Sequence, residues 1–283
     1  SRLCMSSSVA GHKRAFGSDT VPGCYQDLEE ADLVVLVGSN LAWCHPVLHQ
    51  RLAAAKFARP ELQVVNIDPR KTATTALADQ HLQIRPDGDI ALFNGLLAYL
   101  ADHDHLDQGY IDQHIAGAVP TISQARLDDP LESGLSEDEL SAFYQLWAAT
   151  KRVVTVYSQG VNQSECGTDK VNAILNCHLA TGRIGTAGCG PFSVTGQPNA
   201  MGGREVGGLA NMLANHLEIE NPAHRAQVQE FWQSPTICTQ AGLRAVDLFE
   251  ACRSGKIKAL WVMSTNPAMS LPNADGVAAA IAS

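Results

Sequence analysis

Ala31 to Val37 (ADLVVLV) is a continuous apolar run closed by Gly38-Ser39-Asn40, the pattern of a strand buried on both faces of a parallel sheet. From His45-Pro46 to Phe57 the pattern predicts a helix with Pro46 in its first turn, and Leu62 to Ile67 (LQVVNI) predicts a second strand ending at Asp68-Pro69-Arg70. Together these make one βαβ unit. A short helix through Thr74 to Ala78, a strand from His81 to Ile84 and a helix from Asp89 to Leu100 continue the alternation. After a mostly helical acidic stretch, Arg152 to Tyr157 (RVVTVY) predicts another buried strand, closed by Ser158-Gln159-Gly160 and followed by a helix from Thr168 to Thr181.

Gly182 to Gly208 holds nine Gly and two Pro in 27 residues, too irregular for regular structure and too apolar for a flexible linker. Long loops of this kind inside compact domains are usually functional. Beyond it the pattern predicts helices around Glu205 to Asn215, Ala223 to Trp232 and Gly242 to Arg253, then a strand from Lys258 to Val262 ending at Ser264-Thr265-Asn266. Four predicted strand ends therefore carry small polar residues, and in open α/β sheets ligands bind outside the carboxyl ends of strands. One such end is explained by helix capping and turn chemistry. Four of them point to a large nucleotide-like ligand, with Gly38 and Gly160 letting backbone approach phosphates and Asp68 accepting from ribose hydroxyls or a base edge. No G-x-G-x-x-G follows Val37, so an ordinary NAD or FAD site is not supported.

The 283 residues, 45% apolar and 17% charged, are ordinary for a globular protein of one large or two small domains, and the fold class is α/β. The net charge of −9 is uneven, with 20 acidic and 10 basic residues through Thr150, ten of the acids lying between Asp102 and Glu139. A run of this kind is a solvated face, and the balance gives no general footprint for nucleic acid. No apolar stretch reaches 18 residues, so no membrane span is expected. The chain opens on Ser1-Arg2-Leu3-Cys4 without an initiating Met and closes in an Ala-rich run, as expected of an internal portion of a longer protein. Eight cysteines include no C-x-x-C, so zinc ribbons and locally coded iron–sulfur clusters are disfavoured. Reduced thiols of a cytoplasmic protein, most of them buried, are expected, with Cys24 and Cys44 as packing residues.

SRLCMSSSVAG, VVLVGSNLAWCHPVL, NIDPRKTATTALAD, RPDGDIALFNG, SQGVNQ and FSVTGQPNAMGGREVGG occur in this order, and with them the whole chain resembles the molybdenum bis-pterin-guanine-dinucleotide oxidoreductases of the dimethyl sulfoxide reductase superfamily. Within that superfamily it is most similar to bacterial assimilatory nitrate reductases. The resemblance implies a Rossmann-like domain over about residues 6–195 and part of a second α/β domain over 196–283. A lone cysteine is ordinarily a small buried hydrophobe, but Cys4 stands where the superfamily places its metal ligand, and a thiolate is a soft donor suited to a sulfur-rich molybdenum site. In formate dehydrogenases of the superfamily a His follows the ligand and an Arg precedes the later Gly-Gln. Met5 and Thr195 stand there instead, a pocket without a proton acceptor that matches oxygen-atom transfer.

By the same resemblance one guanine dinucleotide lies on Gly38, Asn40, Asp68, Arg70, Gly88, Asp89, Gly160, Asn162 and Gln163, with Asp89 or Asp68 accepting from guanine N–H groups. The other touches Ser264, Asn266 and Ser270. Gln159, Gln197 and Arg204 are expected at the metal mouth, where the guanidinium of Arg204 would draw in planar nitrate; a surface or helix-start ion pair with Glu205 is the alternative. The stretch from Gln197 to Arg204 is one residue shorter than in periplasmic nitrate reductases. The implied reaction is two-electron reduction of nitrate to nitrite, with electrons from a ferredoxin, flavodoxin or NADH-linked donor through a [4Fe–4S] cluster whose ligands are not in this chain. The chain alone is expected to be inactive, because two pterins need walls from segments outside it. Two rivals stay open, a sibling enzyme such as a formate dehydrogenase and a metal-free scaffold subunit; a thiol at position 4 speaks against the second. Asp102-His103-Asp104-His105 reads as an exposed helix end rather than a metal site, and His45 and His49 lack the H-E-x-x-H pattern of zinc.

Overall fold

The computed structural model describes residues 5–197 and 199–283. The metal-ligand expectation for Cys4 lies outside the described residues. The described residues fall into two compact units, 5–197 and 199–283.

The first unit is built on a five-stranded, fully parallel sheet in the order β3-β2-β1-β4-β5. Its strands are β1 (Leu33–Val37), β2 (Gln63–Ile67), β3 (Gln80–Leu82), β4 (Val153–Tyr157) and β5 (Gly190–Ser193). The uninterrupted apolar run of β1 has a direct cause. Leu33, Val35 and Val37 face one buried cluster while Val34 and Leu36 face another, so both sides of the strand lie under helices. The helices Asp89–Asp102, Glu137–Ala149 and Gly167–Ala180 supply the first cluster, with Phe93, Trp147 and Ile174 fully buried. Pro46–Ala58 supplies Leu48 and Leu52 to the second, Pro46 sitting in its first turn.

Two expectations for Gly182 to Gly208 are corrected. Gly190–Ser193 is a strand, paired in parallel to β4, and Pro191 is tolerated because β5 is the edge of the sheet. The expected helix from Glu205 to Asn215 is displaced: Ala200–Glu205 is the helix, and it stops at Gly207, whose φ of 75° reverses the chain. The helix expected from Asp89 ends at Asp102, and Asp102 to His105 is largely exposed, the helix end the pattern implies. The seven described cysteines are free thiols, but only Cys177, Cys189 and Cys252 are buried. Cys24 and Cys44 are exposed rather than packed, because Cys24 caps the start of the helix Tyr25–Glu30 and Cys44 is the last residue of the four-residue helix Leu41–Cys44, of which only Leu41 is buried.

Among the described residues the second unit has helices but no strand of a sheet. Pro222–Trp232, Ala245–Arg253 and Ala274–Ala282 carry its packing, the last two sharing Phe249, Cys252, Val277 and Ala280. The predicted strand from Lys258 to Val262 is unpaired, and Trp261 is 84% exposed. A strand exists only where a neighbour takes its backbone N–H and C=O groups, and the described residues offer none here.

One buried group gives the first unit a pH signature. His178 is fully buried edge-on against Trp147, with Nε2 2.8 Å from Thr155 Oγ1. Burial, helped by the Arg183 cation, pushes its pKa from 6.5 down to about 3. The unfolded chain therefore takes up a proton at this ring below pH 6.5 while the folded chain does not, and stability falls as pH falls, by up to about 1.4 kcal/mol per unit. Between pH 6.5 and 5 this group is expected to remove about 2 kcal/mol from the unfolding free energy. Denaturant titrations of His178→Gln at the two pH values should lack that share of the loss; identical pH dependence would show that the folded ring carries a proton.

Candidate ligand site

The sheet changes winding direction between β1 and β4, since β2 and β3 lie to one side and β5 to the other. A cleft of about 440 Å³ opens there, at the carboxyl ends of the strands where doubly wound sheets take ligands. Its walls come from the loop after β1 (Gly38, Asn40, Cys44), the loop after β2 (Asp68, Pro69, Arg70), the segment after β3 (Ile84 to Asp87, with Asp89) and the loop after β4 (Ser158, Gln159, Gly160, Gln163). Lys170, from the helix Gly167–Ala180, completes it.

Each wall is held by local chemistry. Asn40 Oδ1 accepts from Thr74 Oγ1 at 2.9 Å, and Thr74 in turn accepts the Ala42 N–H at 3.0 Å, so the loop after β1 is pinned to the turn after β2. Asp68 Oδ1 accepts the Arg70 N–H at 3.0 Å, folding that loop over its own aspartate. Gly38 and Gly160 were expected to admit phosphates, and their packing adds a second reason for glycine. A Cβ on Gly38, whose φ is 52°, would lie 2.7 Å from the Gly160 Cα, and Gly160 donates its N–H to Gly38 O at 3.0 Å. The two glycines let β1 and β4 meet at the head of the cleft.

Sequence reasoning missed the ionic floor of the site. Lys170 has a side chain only 2% exposed, and its Nζ lies 2.6 Å from Asp87 Oδ1 and 2.8 Å from Asp89 Oδ2. Burial works against the ammonium, but the two carboxylates outweigh it and hold its pKa above the usual lysine value. Hydrogen bonds from Lys170 and Ser164 draw the Asp87 carboxyl below its ordinary value, while burial pushes that of Asp89 up against the pull of the same lysine. A lysine 83 residues beyond Asp87 reads in sequence as a helix-surface residue, and only the packing of Gly167–Ala180 against Asp89–Asp102 brings the charges together.

Of the remaining expected residues, Gly88 lies outside the cleft lining, with its Cα against Ser133, where a Cβ would sit 2.8 Å from backbone. Asn162 is buried in the loop after β4, and neither its Nδ2 nor its Oδ1 has a hydrogen-bond partner among the described residues; nor has Ser39 Oγ. Met5 is buried at the start of the helix Ser6–Phe16, which Ser7 ties to the β4 loop by donating to Asn162 O at 2.9 Å. Thr195 Oγ1 lies 2.5 Å from Gln197 Oε1, and its carbonyl is 2.6 Å from His45 Nε2, a link the sequence did not reveal. In the second unit Arg204 is buried with Nη1 3.1 Å from Met201 Sδ. Ser264, Asn266 and Ser270 are exposed, Ser264 at a φ of 55° and Ser270 donating to Asn266 O at 3.1 Å. Among the described residues no cluster of three metal-binding side chains occurs, and no helix is long and apolar enough to cross a membrane.

The parallel sheet and the cleft at its switch point define a doubly wound α/β protein with a site for an extended polar ligand. The chain belongs to the molybdopterin oxidoreductase family, whose model matches residues 1–282. It is 54% identical over 288 residues to a nitrate reductase of Shewanella frigidimarina, covering 100% of this chain and 30% of that protein. A nitrate reductase of Klebsiella oxytoca is 50% identical over 284 residues (100% and 32%), and one of Synechocystis sp. 41% identical over 288 residues (99% and 40%). The chain thus spans between 30% and 40% of the length of these curated relatives. Acetylene hydratase from Pelobacter acetylenicus shares the fold, with a TM-score of 0.53 and 18% identity over 62% of this chain and 24% of that one.

The family implies a molybdenum–pterin cofactor, and the described residues suit a nucleotide-bearing group of that kind. The cleft mixes acceptor-only carboxylates with the cations Arg70 and Arg85, and the orphaned amide of Asn162 and hydroxyl of Ser39 are buried polar atoms at the same strand ends.

Proposed function

We propose that this chain is the portion of a cytoplasmic, assimilatory nitrate reductase that supplies the molybdenum ligand and one guanine-dinucleotide site. The observation that carries the reading is the cleft between β1 and β4, lined by acids, arginines and closely packed glycines at the position where doubly wound sheets bind nucleotides. The identity of 41–54% to nitrate reductases across nearly the whole chain supports the substrate. Cys4 would hold molybdenum, and the molybdenum–pterin group would supply the two-electron chemistry that converts nitrate to nitrite.

The chain's own residues bind and orient. Gly38, Asn40, Asp68, Arg70, Asp89, Gly160 and Gln163 would hold one dinucleotide, with Gly88 shaping the loop and Asn162 backing it. Ser264, Asn266 and Ser270 would touch the other. Gln159, Gln197 and Arg204 would face the substrate, the guanidinium fork matching a planar anion. Met5 and Thr195 offer no base, which favours oxygen-atom transfer over proton removal from formate. Electrons would come from a ferredoxin, flavodoxin or NADH-linked donor through a [4Fe–4S] cluster elsewhere in the parent.

Metal analysis and nitrate reduction by the full-length parent, with and without Cys4→Ala, test the reading. The variant is expected to lose molybdenum and nitrate reduction together, and the parent to leave formate unoxidised. Molybdenum retained with undiminished nitrate reduction in the variant would refute the ligand assignment.

A further inference from the structure

The loop that follows β5 is stitched to the ends of two other strands. Ser158 Oγ, at the end of β4, donates to Val194 O at 3.1 Å, and His45 Nε2, after the short helix Leu41–Cys44 that follows β1, lies 2.6 Å from Thr195 O. Two consecutive carbonyls are therefore taken by side chains from distant parts of the chain, at the point where β5 gives way to Thr195-Gly196-Gln197. A carbonyl oxygen can only accept, so Nε2 of His45 carries a proton. Nδ1 is buried and has no hydrogen-bond partner among the described residues, which leaves the Thr195 carbonyl as the polar group that orients the ring. The backbone beneath the ring is fixed as well, with the His45 N–H donating to Leu41 O at 2.9 Å and the His45 carbonyl accepting the His49 N–H at 3.0 Å.

The grip on Thr195 passes on to Gln197. Thr195 Oγ1 donates to Gln197 Oε1 at 2.5 Å, and an amide whose oxygen takes that proton turns its NH2 group the other way. Packing does little to hold the middle of this loop, since nothing among the described residues lies within 4 Å of a Cβ placed on Gly196. Hydrogen bonds must therefore set its shape. Nitrate is a planar anion with acceptors around its whole edge, and it is bound by donors rather than by lone pairs. Resting on the reading of this chain as part of a nitrate reductase with Gln197 at the substrate mouth, we infer that His45 is a positioning residue for anion binding. Through the Thr195 carbonyl it fixes the loop in the one arrangement that presents the Gln197 NH2 group, and not its oxygen, to the anion.

Kinetics of the loaded full-length parent and hydrogen exchange of the chain by itself test this. His45→Ala is expected to raise the KM for nitrate about tenfold and to leave kcat within about twofold, the mark of lost binding rather than lost chemistry. His45→Gln, whose amide nitrogen reaches the position of Nε2, should restore the KM, while His45→Asn, whose amide stops at the position of Nδ1, should not. In the chain alone, the peptide spanning Val194 to Gln197 should exchange its amide hydrogens about tenfold faster in the Ala and Asn variants and at the unaltered rate in the Gln variant. A KM unmoved in His45→Ala, Gln and Asn variants that behave alike, or exchange rates equal in all of them would overturn the assignment to His45 while leaving the nitrate reading intact. An unaltered parent that leaves nitrate unreduced would overturn that reading, and the part of His45 in anion binding with it.

Discussion

Gly160→Ala is expected to lower the melting temperature by about 6–12 °C and to abolish nucleotide binding in the cleft. The added Cβ would lie 2.5 Å from Gly38 Cα and 3.0 Å from Gly38 O, both backbone atoms of a strand end with nowhere to rotate. Relief requires β1 and β4 to separate at their carboxyl ends, which also stretches the bond from the Gly160 N–H to Gly38 O. Overpacking of this sort costs about 1–3 kcal/mol, and the weakened hydrogen bond adds to it. At roughly 2–4 °C per kcal/mol for a domain of this size, a total near 3 kcal/mol yields the expected shift. Gly17→Ala is the comparison, since Gly17 has a positive φ, 74°, which Gly160 lacks, and nothing lies within 4 Å of its added Cβ. It should show only the conformational cost, about 1–2 kcal/mol. Differential scanning calorimetry of both variants decides the matter; equal shifts would mean that the two strand ends do not depend on mutual contact.

Lys170→Met is expected to destabilise the first unit by about 3–5 kcal/mol, because it keeps the stem's volume and strands the Asp89 carboxylate in a buried position without its partner. The double variant Lys170→Met/Asp89→Asn should recover most of that loss, since the uncompensated charge is gone. Urea titrations of the four members of the cycle measure the coupling. The pH dependence has a definite sign. In the single variant Asp89 loses the ammonium that offset its burial, so its folded pKa rises further above the unfolded one. The folded state then holds the proton more tightly, and the deficit shrinks as pH is lowered through that raised value. The unaltered chain behaves in the opposite way at Asp87. Its carboxyl is depressed by Lys170 and Ser164, so its contribution is present above the ordinary carboxylate range and disappears as pH falls through the folded value. Recovery of the single variant at high pH instead of low would rule out Asp89 as the stranded group.

The legible part of the fold was the part with local causes. β1 and β4 announce themselves because strands covered on both faces need apolar side chains at every position, and the cluster memberships of Leu33 to Val37 bear this out. The same signal misled at Lys258 to Val262, where the apolar run is present but the described residues provide no neighbouring strand. Gly190–Ser193 escaped notice for the converse reason. Its glycine and proline spoil the pattern, and an edge position beside β4 makes them acceptable. Strand ends could likewise be read from small polar residues, so most of the cleft residues were named in advance, although Asp87 and Lys170 were not.

What the sequence determined by itself was the family, the α/β class and the strands whose ends surround the cleft, because motifs and hydrophobic period are properties of neighbouring residues. Only the tertiary structure decided that Gly38 needs Gly160, that Thr195 meets His45 across 150 residues, and that one buried lysine joins two aspartates 83 and 81 positions before it. Those contacts depend on how helices and strands distant in the chain pack together, and a periodic pattern says which side of an element is buried but not what it is buried against.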